Sequence, residues 1–332
     1  MAREASQAAR ELGVDIKYFQ RHLGVLPHDY TGIDTSRLTF AGFCIQALDL
    51  LGALETSSTE AQRADWIEWT YAMQIHPSAK PQSTAANDYD GSHITMTYAA
   101  LVVLLTLGDD LSRVNKDAIV NFFASCDSPE RDMRFVFCAC AISFILADWR
   151  GVDIPRAFDF IRKSKTYDHG FAQTPGQESH GGSTFCALAS LYLMGELRDG
   201  ATVDFKRTRA WLINRQDSGF HGRVNKPSDT CYAFWVGGSL EILGSHQAFV
   251  NVDSLNAFLA ETHSSYGGYS KHSDDYPDVM HSYMGFASRA LCRDSLVGRL
   301  FAPLNISQRA FAHCRQLGLG QSPSGAESQA TH

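Results

Sequence analysis

Residues 181–195 read GGSTFCALASLYLMG. Glycines and small hydroxyl residues lead to an aromatic, and then to a run that is apolar or small at nearly every position. A helix that is apolar on all sides is a buried helix rather than a surface one. The same form returns as SHITMTYAALVVLLTLG at 92–108, RDMRFVFCACAISFILADW at 131–149, SDTCYAFWVGGSLEILG at 228–244 and DVMHSYMGFASRAL at 278–291. Aligned on Tyr98, Phe137, Phe185, Tyr232 and Tyr283, the copies stand 39, 48, 47 and 51 residues apart. An earlier copy, SRLTFAGFCIQALDLLGAL at 36–54, fits at Phe40. Self-similarity at such a period marks a repeat architecture.

Between the copies lie more polar helical stretches, such as DFKRTRAWLINRQ (204–216) and VDSLNAFLAETH (252–263). Gly-rich loops then lead back in: DHGFAQTPGQESHGG (168–182), DSGFHGRVNKP (217–227) and YGGYSKHSDDYP (266–277). No stretch alternates in the manner of a strand. The chain is therefore expected to be all-α, a row of helical hairpins. Closed, that row is an α/α toroid, a barrel with an inner and an outer ring of helices; left open, it is a superhelix. The very apolar inner set favours closure, although periodicity alone does not decide it. In a toroid the inner helices all run the same way. Their N-termini, which favour anions through free N–H groups and the helix dipole, then gather at one mouth.

With 332 residues, 44% of them hydrophobic, the chain can bury a large core. A net charge of −7 argues against a dedicated nucleic-acid binder. Several of the eight cysteines lie in apolar runs such as FCACAISF and TFCALASLYL. Buried free thiols in a reducing, cytoplasmic setting explain that usage better than a disulfide framework. The amphipathic start MAREASQAARELGVDIKYFQRHL has no apolar segment of the secretory kind. Runs such as YAALVVLLTLG are too short for stable membrane insertion. We expect an N-terminal extension at 1–14, one domain at 15–315, and a disordered tail at 316–332 that is poor in apolar residues.

The polar residues at the helix starts carry the chemistry. Asp229 stands where an N-cap belongs and Cys231 falls in the first turn. On a finished helix, side chains two apart point about 200° away from each other. At a helix start the backbone has not yet settled, so they can converge. His281 takes the matching place one repeat later. Carboxylate, thiolate and imidazole form a three-ligand zinc set with a fourth position open. The plainer reading makes Asp229 a cap, Cys231 a core thiol and His281 a surface residue. A second group, His180, Arg223, Lys226, Lys271 and Tyr232, suits a diphosphate at helix N-termini; the alternative is solvated loop charge. The inner aromatics Phe43, Phe137, Phe185, Phe234, Trp235 and Tyr283 are core, or the lining for a long apolar ligand.

ESHGGSTFCALASLYLMG (178–195), GRVNKPSDTCYAFWVGG (222–238) and DVMHSY (278–283) closely resemble the β subunits of protein prenyltransferases. LGDDLSRVNKDA (107–118) and DMRFVFCAC (132–140) resemble the type I geranylgeranyl members in particular, and the likeness runs from about residue 15 to 310. The resemblance implies an α/α toroid and one zinc ion per β subunit, on Asp229, Cys231 and His281. It implies that His180, Arg223, Lys226 and Tyr232 hold the diphosphate, and that Lys271 joins Tyr232 and the zinc ligands in catalysis. Farnesyl relatives carry a bulky tryptophan where this chain has Thr39, with Phe43 one turn on. They carry a magnesium-linked aspartate where this chain has Lys271. Both differences imply geranylgeranyl diphosphate as donor and no magnesium requirement. By resemblance Thr39, Phe43, Arg134 and Trp235 line the lipid tunnel. Thr39, His93, Thr95 and Phe135 border the pocket for the last residue of the acceptor, with Thr95 departing from a smaller family residue.

The acceptors implied are CaaX-ending small GTPases of the Rho and Rac type, with leucine preferred at X. The partner implied is a helical-repeat prenyltransferase α subunit in an obligate heterodimer. One departure is the segment Cys126–Arg131, where only DSPE replaces a longer Gly-containing family loop. Competing readings are a Rab geranylgeranyltransferase β subunit, a non-catalytic helical-repeat scaffold, and a terpene cyclase. The last lacks any DxDD-like motif here.

Overall fold

A computed structural model describes residues 2–74, 93–125, 132–197 and 205–323. Six inner helices correspond to the six apolar copies: α2 (Arg37–Leu50), α4 (Ile94–Leu107), α6 (Met133–Leu146), α8 (Gly181–Met194), α10 (Thr230–Ile242) and α13 (Val279–Leu291). The polar stretches form outer helices α1 (Ala2–Gly24), α3 (Glu60–Ala72), α5 (Lys116–Ser125), α7 (Ile154–Lys163), α9 (Lys206–Ile213) and α12 (Val252–Thr262). A one-turn α11 (His246–Phe249) and a final α14 (Gln308–Gln316) complete the set. Each inner helix packs on the next, and α13 packs back on α2. The ring is closed, and the open superhelix is excluded.

The inner helices are buried because their sequences leave no polar face. In α8 every residue except Gly182 and Tyr192 is buried. Small residues permit close packing: a Cβ on Gly238 would meet the Phe185 and Phe234 rings at 3.2 Å. α7 shows the opposite pattern, burying only Ala157, Phe160 and Ile161. Burial pushes the thiols of Cys140 and Cys186 up to about 12, so they behave as core residues.

Five inner helices begin on a side-chain cap, from His93, Asp132, His180, Asp229 and Asp278. Counted from these caps, the inner aromatic is always the fifth residue: Tyr98, Phe137, Phe185, Phe234 and Tyr283. The alignment on Tyr232 was two residues out. The run CYAFW offers two aromatics two apart, which a helix turns to different sides. Phe234 meets Phe185 with ring centroids 5.0 Å apart, whereas Tyr232 turns toward His180. In the first copy Phe43, not Phe40, joins the ring, stacking on Tyr283 at 5.4 Å and 22°. Phe40 packs instead on Tyr30.

The C-terminal ends of the inner helices are covered by a small hairpin. Strands β1 (Leu300–Phe301) and β2 (Ile306–Ser307) flank a tight helical turn, Ala302–Leu304, that lies on α8 and α10. Tyr98 Oη donates to the Leu304 carbonyl at 2.7 Å, and Tyr283 Oη to that of Asn305 at 2.6 Å. Among the described residues this hairpin closes that end of the ring. Beyond α14 the chain stays attached, since Gln321 N donates to Phe144 O and the Trp149 indole donates to Gln321 O. The short segment at 126–131 and the end of the tail at 324–332 lie outside the described residues. Among the described residues no helix is long and apolar enough to cross a membrane.

Candidate active site

Asp229 caps α10 in an extended conformation, and its Oδ1 accepts from the Cys231 amide at 2.8 Å. The chain turns helical only after it, which lets the carboxylate and the thiol face the same way. α13 starts alongside and brings His281 Nε2 to 3.3 Å from Asp229 Oδ1. One ligand atom from each of Asp229, Cys231 and His281 lies within 4.8 Å of the others, and all three residues are buried. On the other side of the imidazole, Nδ1 makes a short contact with the Asp278 carboxylate, the cap of α13. Burial alone would lower the His281 pKa, but Asp229 and Asp278 outweigh it and lift it to about 9. Burial works to raise Asp229, yet its bonds from His281 and Cys231 bring it below the ordinary carboxylate range. Cys231 is pushed well up by burial and by the neighbouring Asp229.

This donor set fits zinc. Ligands bound tetrahedrally at 2.0–2.3 Å lie about 3.5 Å from one another; here His281 Nε2 and Asp229 Oδ1 are 3.3 Å apart, and all three ligand atoms lie within 4.8 Å. Without a cation the thiol is a buried group that resists ionising. A coordinated thiol is deprotonated outright, which resolves that cost. Three ligands leave one position of a tetrahedron open.

The basic and phenolic residues gather at the neighbouring helix starts. His180 caps α8, and its Nε2 lies 2.8 Å from Tyr232 Oη. Tyr232 is clamped by the Gly-rich loop: a Cβ on Gly222 would lie 2.0 Å from its ring and one on Gly181 3.1 Å. The Gly181 amide also donates to the Gly222 carbonyl at 2.8 Å, tying the loop to α8. Arg223 is half-buried, with Glu178 at 3.5 Å. Lys226 and Lys271 are exposed. The Lys271 carbonyl accepts from Thr230 N at 3.2 Å, which holds this lysine's backbone at the start of α10.

The prenyltransferase α/α-toroid domain family matches residues 13–308. The chain belongs to that family. The Dictyostelium discoideum geranylgeranyl transferase type-1 subunit beta is 37% identical over 89% of this chain and 94% of its own length. The Arabidopsis thaliana geranylgeranyl transferase type-1 subunit beta is 32% identical over 88% and 87%. These two relatives set the chain among the type-1 β subunits. The solved Candida albicans protein geranylgeranyltransferase-I, complexed with GGPP, superimposes with a TM-score of 0.82 at 24% identity, covering 92% of this chain and 98% of that one. It shares the fold.

Within this prenyltransferase toroid the remaining candidates fall into two places. Trp235 is half-buried and meets Phe185 and Phe234 at 5.1 and 5.2 Å, while Phe43 stacks on Tyr283; both form the aromatic wall. At the mouth, His93 and Phe135 meet edge-on at 6.1 Å, and Thr95 Oγ1 lies 2.7 Å from His93 Nδ1. Thr39 reaches α4 at Met96, with Oγ1 3.6 Å from the sulfur. Arg134 projects from the start of α6 and is held in a fork by Asp132, which also accepts from Gln173.

Sequence reading missed Asp278, Asp132, Glu178 and Met96. Asp278 had a usable signal, because an acid three residues before a ligand histidine on a helix start can both cap the helix and hold the ring. Met96 had none, since a methionine in an apolar helix reads as core.

Proposed function

We propose that this chain is the catalytic β subunit of a heterodimeric protein geranylgeranyltransferase acting on a C-terminal CaaX cysteine. The reaction is displacement at C1 of geranylgeranyl diphosphate: the cysteine sulfur forms a thioether and diphosphate leaves. The observation that carries this reading is the convergence of Asp229, Cys231 and His281 beside the Tyr232, His180 and Arg223 group, at the mouth of an aromatic-lined ring. Zinc held by Asp229, Cys231 and His281 would supply the positive charge that makes an acceptor thiol nucleophilic near neutral pH.

The chain's own residues do the rest. Tyr232, Arg223, Lys226 and Lys271 face the site where negative charge grows on the leaving group, and preorganised donors there lower the barrier. A fixed ammonium at Lys271 takes the part that a magnesium ion plays elsewhere. Phe43, Phe185, Trp235 and Tyr283 give the isoprenoid an apolar bed. Thr39, a small side chain, leaves room for a fourth isoprene unit. His93, Thr95 and Phe135 border the acceptor's last residue. The working location is the cytoplasm, and the partner is a prenyltransferase α subunit.

The test is co-expression with such an α subunit, followed by zinc analysis and transfer to a CaaX peptide ending in leucine, with both lipid donors compared. We expect one zinc per β subunit and preference for the 20-carbon donor. A zinc-free complex would favour a scaffold, and a complex inert toward bare CaaX peptide would favour the Rab-type enzyme.

A further inference from the structure

The loop between α12 and α13 carries Lys271, and it is tied to both chain neighbours of Asp229. The Lys271 carbonyl accepts from Thr230 N at 3.2 Å, and the Ser270 carbonyl accepts from Thr230 Oγ1 at 2.7 Å. On the other side of Asp229, the Ser228 carbonyl lies 2.9 Å from His272 Nδ1. A carbonyl has no proton to give, so Nδ1 carries the hydrogen and donates it. The His272 carbonyl in turn accepts from Ser270 Oγ at 2.6 Å and from Asp275 N at 3.1 Å. The repeat sets this side chain apart. One copy earlier, Gly181 N donates to the Gly222 carbonyl just as Thr230 N donates to that of Lys271. His272 therefore stands where Arg223 stands in the preceding loop. Arg223 has the Glu178 carboxylate at 3.5 Å, whereas His272 is half-buried and turns back onto the backbone that leads into α10. The charge in this loop is left to Lys271, which is exposed. Burial and Asp229 raise the Cys231 thiol, and the Lys271 ammonium is close enough to oppose them.

We propose that His272 is a positioning residue: by holding the Ser228 carbonyl it fixes the Lys271 loop against the start of α10, and so sets where the Lys271 ammonium stands relative to Asp229 and Cys231. The inference rests on the function proposed above, in which that ammonium meets the charge of the leaving group. A lysine is a point charge on a flexible four-carbon stem, so a fixed backbone is what keeps its charge in one place. Without the His272 bond, the loop still hangs from Thr230 but can pivot about it. Zinc retention does not depend on this anchor, since His272 bonds to a backbone carbonyl and to none of the three ligand side chains.

The test uses the zinc-loaded heterodimer and single-turnover transfer from geranylgeranyl diphosphate. His272→Phe keeps a ring but no donor, and should slow transfer about 10-fold with zinc content unchanged. His272→Asn keeps an N–H donor and should recover most of that rate. Where the phenyl ring disturbs folding, His272→Ala makes the same comparison. In a Lys271→Ala background His272→Phe should add nothing, as expected when two residues act as a unit. A His272→Phe enzyme running at the native rate overturns the proposal. So does a loss that persists in full in the Lys271→Ala background, which is what a general loosening of α10 would give. Hydrogen exchange at the Thr230 amide is a readout independent of turnover. It should quicken about 10-fold in His272→Phe and return toward the native rate in His272→Asn, and unchanged exchange refutes the anchor. If the native complex transfers no lipid, the proposed function fails, and the exchange result alone decides whether His272 holds the loop.

Discussion

Gly222→Ala places a single methyl group against the site. The added Cβ would lie 2.0, 2.3 and 2.6 Å from three atoms of the Tyr232 ring. Carbon atoms settle at about 3.5 Å, so the ring must retreat by roughly 1.5 Å. The backbone gives no other reason for harm, since Gly222 does not have a positive φ. A shift of that size takes the hydroxyl off the 2.8 Å bond to His180 and away from its aim. Overpacking of this kind costs about 1–3 kcal/mol of stability. A displacement of about 1 Å at a catalytic group can cost about 100-fold in rate. We therefore expect a modest loss of thermal stability, retained zinc, and single-turnover transfer slowed about 100-fold. Gly32→Ala is the control, because a Cβ there meets nothing within 4 Å. If Gly222→Ala folds and transfers lipid at the native rate, the Tyr232 hydroxyl is not positioned as argued, or does not matter.

Asp278→Ala removes both the α13 cap and the partner of His281 Nδ1; zinc affinity measured by chelator competition should fall about 10–100-fold, and unchanged affinity would refute the orienting role. Thr39→Trp should take up the room that a fourth isoprene unit needs and shift preference toward the 15-carbon donor in a two-lipid competition; unaltered choice would show that Thr39 does not set the chain length. Lys271→Asp should make turnover depend on magnesium, and indifference in a magnesium titration would count against the ammonium's substitute role. His246, buried against α10, is held down to about 4 by burial and by Arg293. The unfolded chain protonates this ring near 6.5, so between those values the unfolded state binds a proton that the folded state refuses. Stability should fall as pH drops from about 6.5 toward 4, by up to about 3 kcal/mol, and His246→Gln should flatten that slope in thermal denaturation.

How much of this could be read beforehand depends on the range of the interaction. Within one copy, composition was enough: helices with no polar face had to lie inside, and loops of glycine and polar residues had to lead into them. The shared direction of the inner helices then placed Asp229, Cys231 and His281 at one mouth, and the structure brings their ligand atoms together. Closure was favoured by the very apolar inner set but not decided by the period, because the α13–α2 contact joins segments more than 200 residues apart and no local pattern reports it. The aromatic register failed for a different reason. CYAFW supplies two candidates, and only the cap at Asp229 says which one faces inward.

The histidine caps were the least legible feature, and they bear most on function. Capping preferences favour Asp, Asn, Ser and Thr, so a histidine at a helix start reads as a cation for the ligand rather than as a cap. At His93 and His180 the fold uses Nδ1 to finish the helix, and at His180 the other ring nitrogen, Nε2, meets Tyr232 Oη. Each cap thereby takes up a ring nitrogen that a sequence reading leaves free for a ligand. On the proposed function the cationic part of the diphosphate cradle is Arg223, Lys226 and Lys271, and the Glu178 carboxylate lies 3.5 Å from the first of these.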